Sequence, residues 1–99
     1  MILYSTRAQI GAYAPEVVAW GQEVAKLVGG LQGSEVQFAS RVGGHQELIW
    51  ASRYDNMAAL EASLSKVQQN AQYLALVKTA VEKGYFIPSS VETALWSTV

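Results

Sequence analysis

The sequence predicts an α+β fold in which strand, helix, strand, strand, helix and strand follow one another. Three observations carry that reading. Two segments repeat apolar residues at helical spacing, from Val17 to Leu31 and from Met57 to Val81. Four shorter segments alternate in polarity with the period of two that a strand imposes. A Gly43-Gly44 pair separates the two middle strands and is a hairpin signal.

The first strand is expected over residues 2–10, with Ile2, Tyr4, Thr6 and Ala8 on one face and Leu3, Ser5, Arg7 and Gln9 on the other. Pro15 opens the first helix, where its missing N–H is not needed, and Glu16 complements the positive helix end. Val17, Trp20, Val24, Leu27 and Leu31 form its stripe, broadened by Val28. Gly29-Gly30 marks its end at about Val28, because glycine adopts the left-handed cap readily. The second strand is expected over 35–42, with Val36, Phe38, Ser40 and Val42 on one face. The third runs from Gln46 to Tyr54, with Leu48, Trp50, Ser52 and Tyr54 together.

Asp55 and Asn56 are N-cap residues for a long second helix. Its seam reads Met57, Leu60, Leu64, Val67, Ala71, Leu74, Val77 and Val81. Gln68-Gln69-Asn70 is the natural place for a kink or a split, with Asn70 capping a second piece. Gly84 stops the helix, and a loop around Pro88 leads to a last strand over 91–99.

This order is the split βαβ, or ferredoxin-like, arrangement, with the first and third strands central and the helices on one face of a four-stranded antiparallel sheet. The faces carrying Tyr4, Phe38, Trp50 and Leu95 are expected to meet the helices. The opposite face mixes Leu3, Ala39, Ile49, Ala51, Ala94 and Trp96 with Arg7, Glu35, Arg41, Glu47 and Arg53. A face that met only water would be more uniformly polar. Its apolar groups predict a homodimer packed sheet to sheet through the surface that carries Leu3, Ile49 and Trp96.

Composition narrows the function. Ninety-nine residues fit a single domain over 1–99. Apolar residues make up 51% and charged residues only 15%, well under the usual ~25%. The net charge is −1 and the basic residues are scattered, so no footprint for nucleic acid is present. Cysteine is absent, which removes disulfides, thiolate chemistry and cysteine-built zinc sites. No leader and no apolar run of membrane length is found, so a soluble cytoplasmic protein without membrane attachment is expected.

On these residues the chain resembles the dimeric α/β-barrel superfamily, which includes NIPSNAP-like proteins and antibiotic-biosynthesis-type monooxygenases. The resemblance spans nearly the whole chain. It rests on element order and on Ser52-Arg53-Tyr54-Asp55-Asn56 leading from strand into helix. Asn70-Ala71-Gln72-Tyr73 midway along that helix, and Tyr85-Phe86-Ile87-Pro88-Ser89-Ser90 before the last strand, also fit. It implies two ferredoxin-like subunits packed sheet to sheet, and often a small ligand held between sheet and helices. The Asn–Trp–His set of haem-degrading members is not recognisable.

The candidate binding residues are Tyr4, Trp20, Phe38, Trp50 and Tyr54, which are expected to converge between sheet and helices as an apolar cleft with a few hydroxyls such as Ser40 and Ser52. The bland reading of the same aromatics is a filled core. His45 is the single histidine and the one candidate general base, but its place after Gly43-Gly44 suits an exposed turn. A lone histidine makes no metal site, and no cofactor is expected. Arg41 and Arg53 are candidates for an anion clamp or for interface ion pairs. Tyr13 and Tyr85 are loop tyrosines suited to gating or to anchoring.

The function expected is a homodimeric domain that binds a small apolar or aromatic molecule. The alternatives are a cofactor-independent monooxygenase- or isomerase-like enzyme on an aromatic or polyketide-like substrate, and a structural or regulatory module with a filled core.

Overall fold

A computed structural model describes residues 1–41, 44 and 46–97. The hairpin turn expected at Gly43-Gly44 falls largely outside these residues, as does Val42. The strands are β1 (Ile2–Gln9), β2 (Gln37–Ser40), β3 (Glu47–Tyr54) and β4 (Glu92–Ser97). The helices are α1 (Ala14–Gln32), α2 (Met57–Gln69) and α3 (Ala71–Lys83), and a single 3₁₀ turn spans Pro88–Ser90. The four strands form one antiparallel sheet in the order β2-β3-β1-β4, so β1 and β3 are central as their sequence position requires. The architecture is α+β and consistent with a ferredoxin-like arrangement. No described helix is long and apolar enough to cross a membrane.

Register places the faces. Tyr4 pairs with Ser52 and Leu95, Thr6 with Trp50, and Ala8 with Leu48, which gathers these side chains on the helix side. Leu3 pairs with Arg53 and Trp96, and Arg7 with Ile49 and Glu92, on the other side. One expectation fails at the edge. Leu95 shares the face of Tyr4 yet is 53% exposed. α1 packs across β2 and β3, α2 packs against β3, and α3 packs on the other two helices, so β4 lacks a helical cover.

The core is a cluster of Val17, Trp20, Val24, Leu48, Ala80 and Tyr85. Two indole N–H groups join its layers. Trp50 Nε1 on β3 donates to the Gly21 carbonyl on α1 at 3.0 Å, and Trp20 Nε1 on α1 donates to the Leu76 carbonyl on α3 at 3.0 Å. Gly21 also makes room for the Phe38 ring. A Cβ there would lie 2.3 Å from Phe38 Cζ, far inside contact distance.

α1 does not stop at Gly29-Gly30. It runs one turn further to Gln32 and ends at Gly33, whose φ of 70° is the left-handed cap. Two helical glycines cost about 1 kcal/mol each against alanine. The turn they weaken is held at its end by the hydrogen bonds of Gln32 to Ser52, Tyr54 and Ser63.

The long second helix is split at Asn70, which has extended backbone (φ −79°, ψ 120°). Its side chain accepts a hydrogen bond from the Tyr73 N–H at 2.9 Å. The break also resets the helical phase. α2 buries Leu60 and Val67 of the predicted seam, with Ser63 beside them and Met57 left exposed, but α3 turns Tyr73, Leu76 and Ala80 to the core. Leu74 and Val81 of the predicted seam are left exposed.

The second and last strands are shorter than the alternation suggests. Val36 precedes β2, and Val91 follows the 3₁₀ turn; Thr98 and Val99 lie outside the described residues. The segment before the turn is tied to β1 through an Ile10–Phe86 bridge and the Ile87 N–H to the Gln9 carbonyl.

Replacing Asn70 by Ala removes the acceptor for the first turn of α3. A loss of about 1 kcal/mol is expected. In thermal unfolding this lowers Tm by roughly 4–8 °C for a chain of this size. Asn70→Asp should keep most of the stability. An equal fall for both variants would show that the cap is not what holds the break.

Candidate functional site

A cavity of about 310 Å³ lies between the sheet and the helices. That is the lower end of the range for small-molecule pockets. Trp20, Val24, Val28 and Gln32, on successive turns of α1, line it. With 1.5 Å of rise per residue, Trp20 and Gln32 stand about 18 Å apart along the helix.

The two ends differ in chemistry. At one end Trp20, Trp50 and Phe86 form an aromatic floor. Trp20 meets Trp50 edge-on with ring centres 5.7 Å apart and stacks on Phe86 at 5.9 Å. Both indole N–H groups are already bonded to helix carbonyls, so this end presents carbon. Val67 and Leu64 of α2 and Tyr73 and Val77 of α3 also line the cavity; on β1, Tyr4 lies opposite Ser52, Thr6 opposite Trp50, and Ala8 one pair beyond the aromatic end.

The other end is polar. Tyr54 Oη donates to Gln32 Oε1 at 2.7 Å, and Ser63 Oγ donates to the same oxygen at 2.6 Å. The amide nitrogen faces the Ser34 carbonyl, which can only accept, and this leaves the carbonyl oxygen with its two lone pairs toward the two hydroxyls. Gln32 Nε2 makes longer contacts, 3.4 Å each, to Ser52 Oγ and to the Ser34 carbonyl. Ser52 and Ser63 are both buried, and the network satisfies them.

Of the five aromatics singled out in the sequence, Tyr4, Trp20, Trp50 and Tyr54 line this cavity. Phe38 does not. It packs between Gly21 and Trp50, with its ring centre 5.4 Å from that of Trp50, and supports the wall from behind. Ser52 lines the cavity, whereas Ser40 is exposed on the edge strand. Gln32 and Ser63 escape sequence reasoning. Gln32 lies beyond a glycine pair that reads as a helix stop, and Ser63 is one serine among several on α2. The usable signal for Gln32 was its spacing of four from Val28.

His45 lies outside the described residues. Arg41 and Arg53 are exposed, and Arg53 sits across from Leu3 on the sheet face away from the cavity. Tyr13 is exposed, while Tyr85 is buried and donates to Glu16 Oε1 at 2.7 Å, which anchors α1 to the segment after α3. Among the described residues no cluster of His, Cys, Asp or Glu could hold a metal ion.

Tyr73 lines the cavity and has a displaced ionisation. Burial pushes its phenol above its ordinary value, and the neighbouring Tyr4 adds to the shift. It remains a neutral hydroxyl through the physiological range.

No protein-family model matches the sequence, and no curated protein matches it. Solved structures do resemble it in fold. An uncharacterised NIPSNAP domain protein from Burkholderia xenovorans superposes with a TM-score of 0.75 at 14% identity, over 100% of this chain and 95% of that one. A NIPSNAP family protein from Agrobacterium tumefaciens gives 0.70 at 14% identity, over 99% and 92%. A candidate antibiotic biosynthesis monooxygenase from Deinococcus radiodurans gives 0.66 at 8% identity, over 100% and 93%. The structural neighbours are thus the groups that the sequence resembles, and at these identities the likeness is one of fold.

The raised pKa of Tyr73 sets a pH dependence. A group whose pKa is higher in the folded state contributes stability that is complete below its unfolded value, about 10, and is lost as pH rises through the folded value. Denaturant unfolding of Tyr73→Phe should therefore fall less steeply with pH above about 10 than that of the parent protein. Parallel curves would mean that Tyr73 titrates as it does in the unfolded chain.

Proposed function

We propose that this protein is a homodimeric small-molecule-binding domain whose site is the cavity between sheet and helices. A cytoplasmic setting belongs to the same proposal, and the cysteine-free composition suits it. The observation that carries the reading is the cavity itself. A structural module would fill this space with side chains, as protein interiors normally do. Here Tyr4, Trp20, Trp50 and Tyr54 surround an opening instead of closing it.

Two features support the dimer. The chain exposes 6293 Å². The scaling for a folded monomer of 10.7 kDa gives about 5500 Å². The excess, roughly 800 Å², equals one partner's share of a standard interface. The outer sheet face supplies a surface of that kind. Leu3, Arg53 and Trp96 form one row across it, Ser5, Ala51 and Ala94 a second, and Arg7, Ile49 and Glu92 a third. Trp96 is 59% exposed and Ile49 38%. Arg7 is paired with Glu92 at 2.7 Å within the third row.

A thermal-shift screen of apolar acids and aromatics tests the site. At least one compound should raise Tm, and replacing Val28 by Trp, which fills the middle of the cavity, should abolish the shift. A screen in which nothing stabilises the protein removes the binding reading.

Sedimentation at micromolar concentration should show a species of twice 10.7 kDa. Ile49→Asp should shift it toward the monomer, because a carboxylate buried without a partner is strongly unfavourable. A parent protein that sediments as a monomer excludes the dimer. A variant that unfolds while its association is unchanged would mean that the other face is the interface.

A further inference from the structure

The wall of the cavity carries no Asp, Glu, Lys, Arg or His among the described residues. An ionised ligand placed there would lose its hydration and meet no counter-charge, which is strongly unfavourable. Burial also keeps the Tyr73 phenol protonated, so the wall acquires no charge at neutral pH.

The polar end has a definite pattern of free hydrogen-bonding capacity. Tyr54 and Ser63 both donate their protons to Gln32 Oε1, so their oxygens keep lone pairs as acceptors. Ser52 Oγ receives only the 3.4 Å contact from Gln32 Nε2 and keeps its own proton as a donor. The end therefore offers acceptors and a donor without charge. A hydroxyl group, which gives one proton and accepts another, is its complement. A carboxylate, which only accepts, is not.

We infer that the cavity selects neutral, hydroxyl-bearing apolar molecules, such as a phenol or an alicyclic alcohol, over their ionised analogues. The hydroxyl sits among Gln32, Ser52, Tyr54 and Ser63, and the hydrocarbon body lies toward Trp20 and Trp50. This inference rests on the small-molecule reading above and narrows it to one ligand class.

The test is titration calorimetry on the intact protein near neutral pH with three probes of one shape: naphthalene, β-naphthol and β-naphthoate. β-Naphthol should bind about tenfold tighter than naphthalene, the value of one net hydrogen bond, and at least as far ahead of β-naphthoate. In Ser52→Ala, which removes the free donor, the preference for β-naphthol over naphthalene should shrink while naphthalene binding remains. Should that variant fail to fold, the three-probe comparison on the parent protein decides the matter alone. β-Naphthoate binding as tightly as β-naphthol overturns the inference and leaves the binding reading intact. No binding by any probe also overturns it, and the broader thermal-shift screen then decides separately whether a ligand site exists.

Discussion

The buried indole N–H is the constraint on which the rest of this structure depends. A tryptophan can be buried only where its single donor finds an acceptor. Trp50 finds one in the Gly21 carbonyl and Trp20 in the Leu76 carbonyl. These two bonds run in series from the sheet to α1 and from α1 to α3. They set how far each layer stands from the next, and the edge-on contact of the two rings fixes their angle. Gly21 is the meeting point. Its carbonyl takes one indole bond, and its missing side chain admits the Phe38 ring.

From that fixed end the cavity follows. The rings hold α1 off the sheet, and along the next three turns only Val24, Val28 and Gln32 reach toward it. Valines are too short to fill a gap that a tryptophan spans. At the far end the space closes again through hydrogen bonds rather than packing, with Gln32 gathering two hydroxyls on its carbonyl oxygen. A polar cluster in an apolar interior is stable only when its members are satisfied, and those of this cluster are. The result is a space with a carbon end and a hydroxyl end, a shape that suits the proposed ligand class.

The sheet has a different problem on each side. On the helix side, α1, α2 and α3 leave β4 uncovered, so Leu95 remains exposed despite sharing the face of Tyr4. On the outer side Ile49 and Trp96 are exposed, and no element among the described residues covers them. The Arg7–Glu92 pair ties β1 to β4 on that face, beside the apolar groups available for the proposed partner.

Periodicity alone determined the fold class, the element order and the central position of β1 and β3, because local sequence controls whether a segment can bury one face as helix or strand. The polar stretch Gln68-Gln69-Asn70 marked the place of a kink or a split, since an amide side chain competes locally for the backbone N–H, but that the helix is split there is seen only in the structure. The assignment of Tyr4, Trp50 and Tyr54 to one space followed from the alternation of the strands, and that of Trp20 from the helical spacing of α1. Tertiary structure decided the rest. α1 passes through Gly29-Gly30 because Gln32 has partners on β3 and α2 that are distant in sequence. α3 buries Tyr73 and Ala80 rather than Leu74 and Val81 because the break resets the helical phase by an angle no sequence pattern encodes. Phe38 stands behind the cavity wall because Gly21 leaves room for its ring. Whether aromatic residues fill a core or frame an opening depends on the distance between layers, and that distance is set by contacts among residues far apart in the chain.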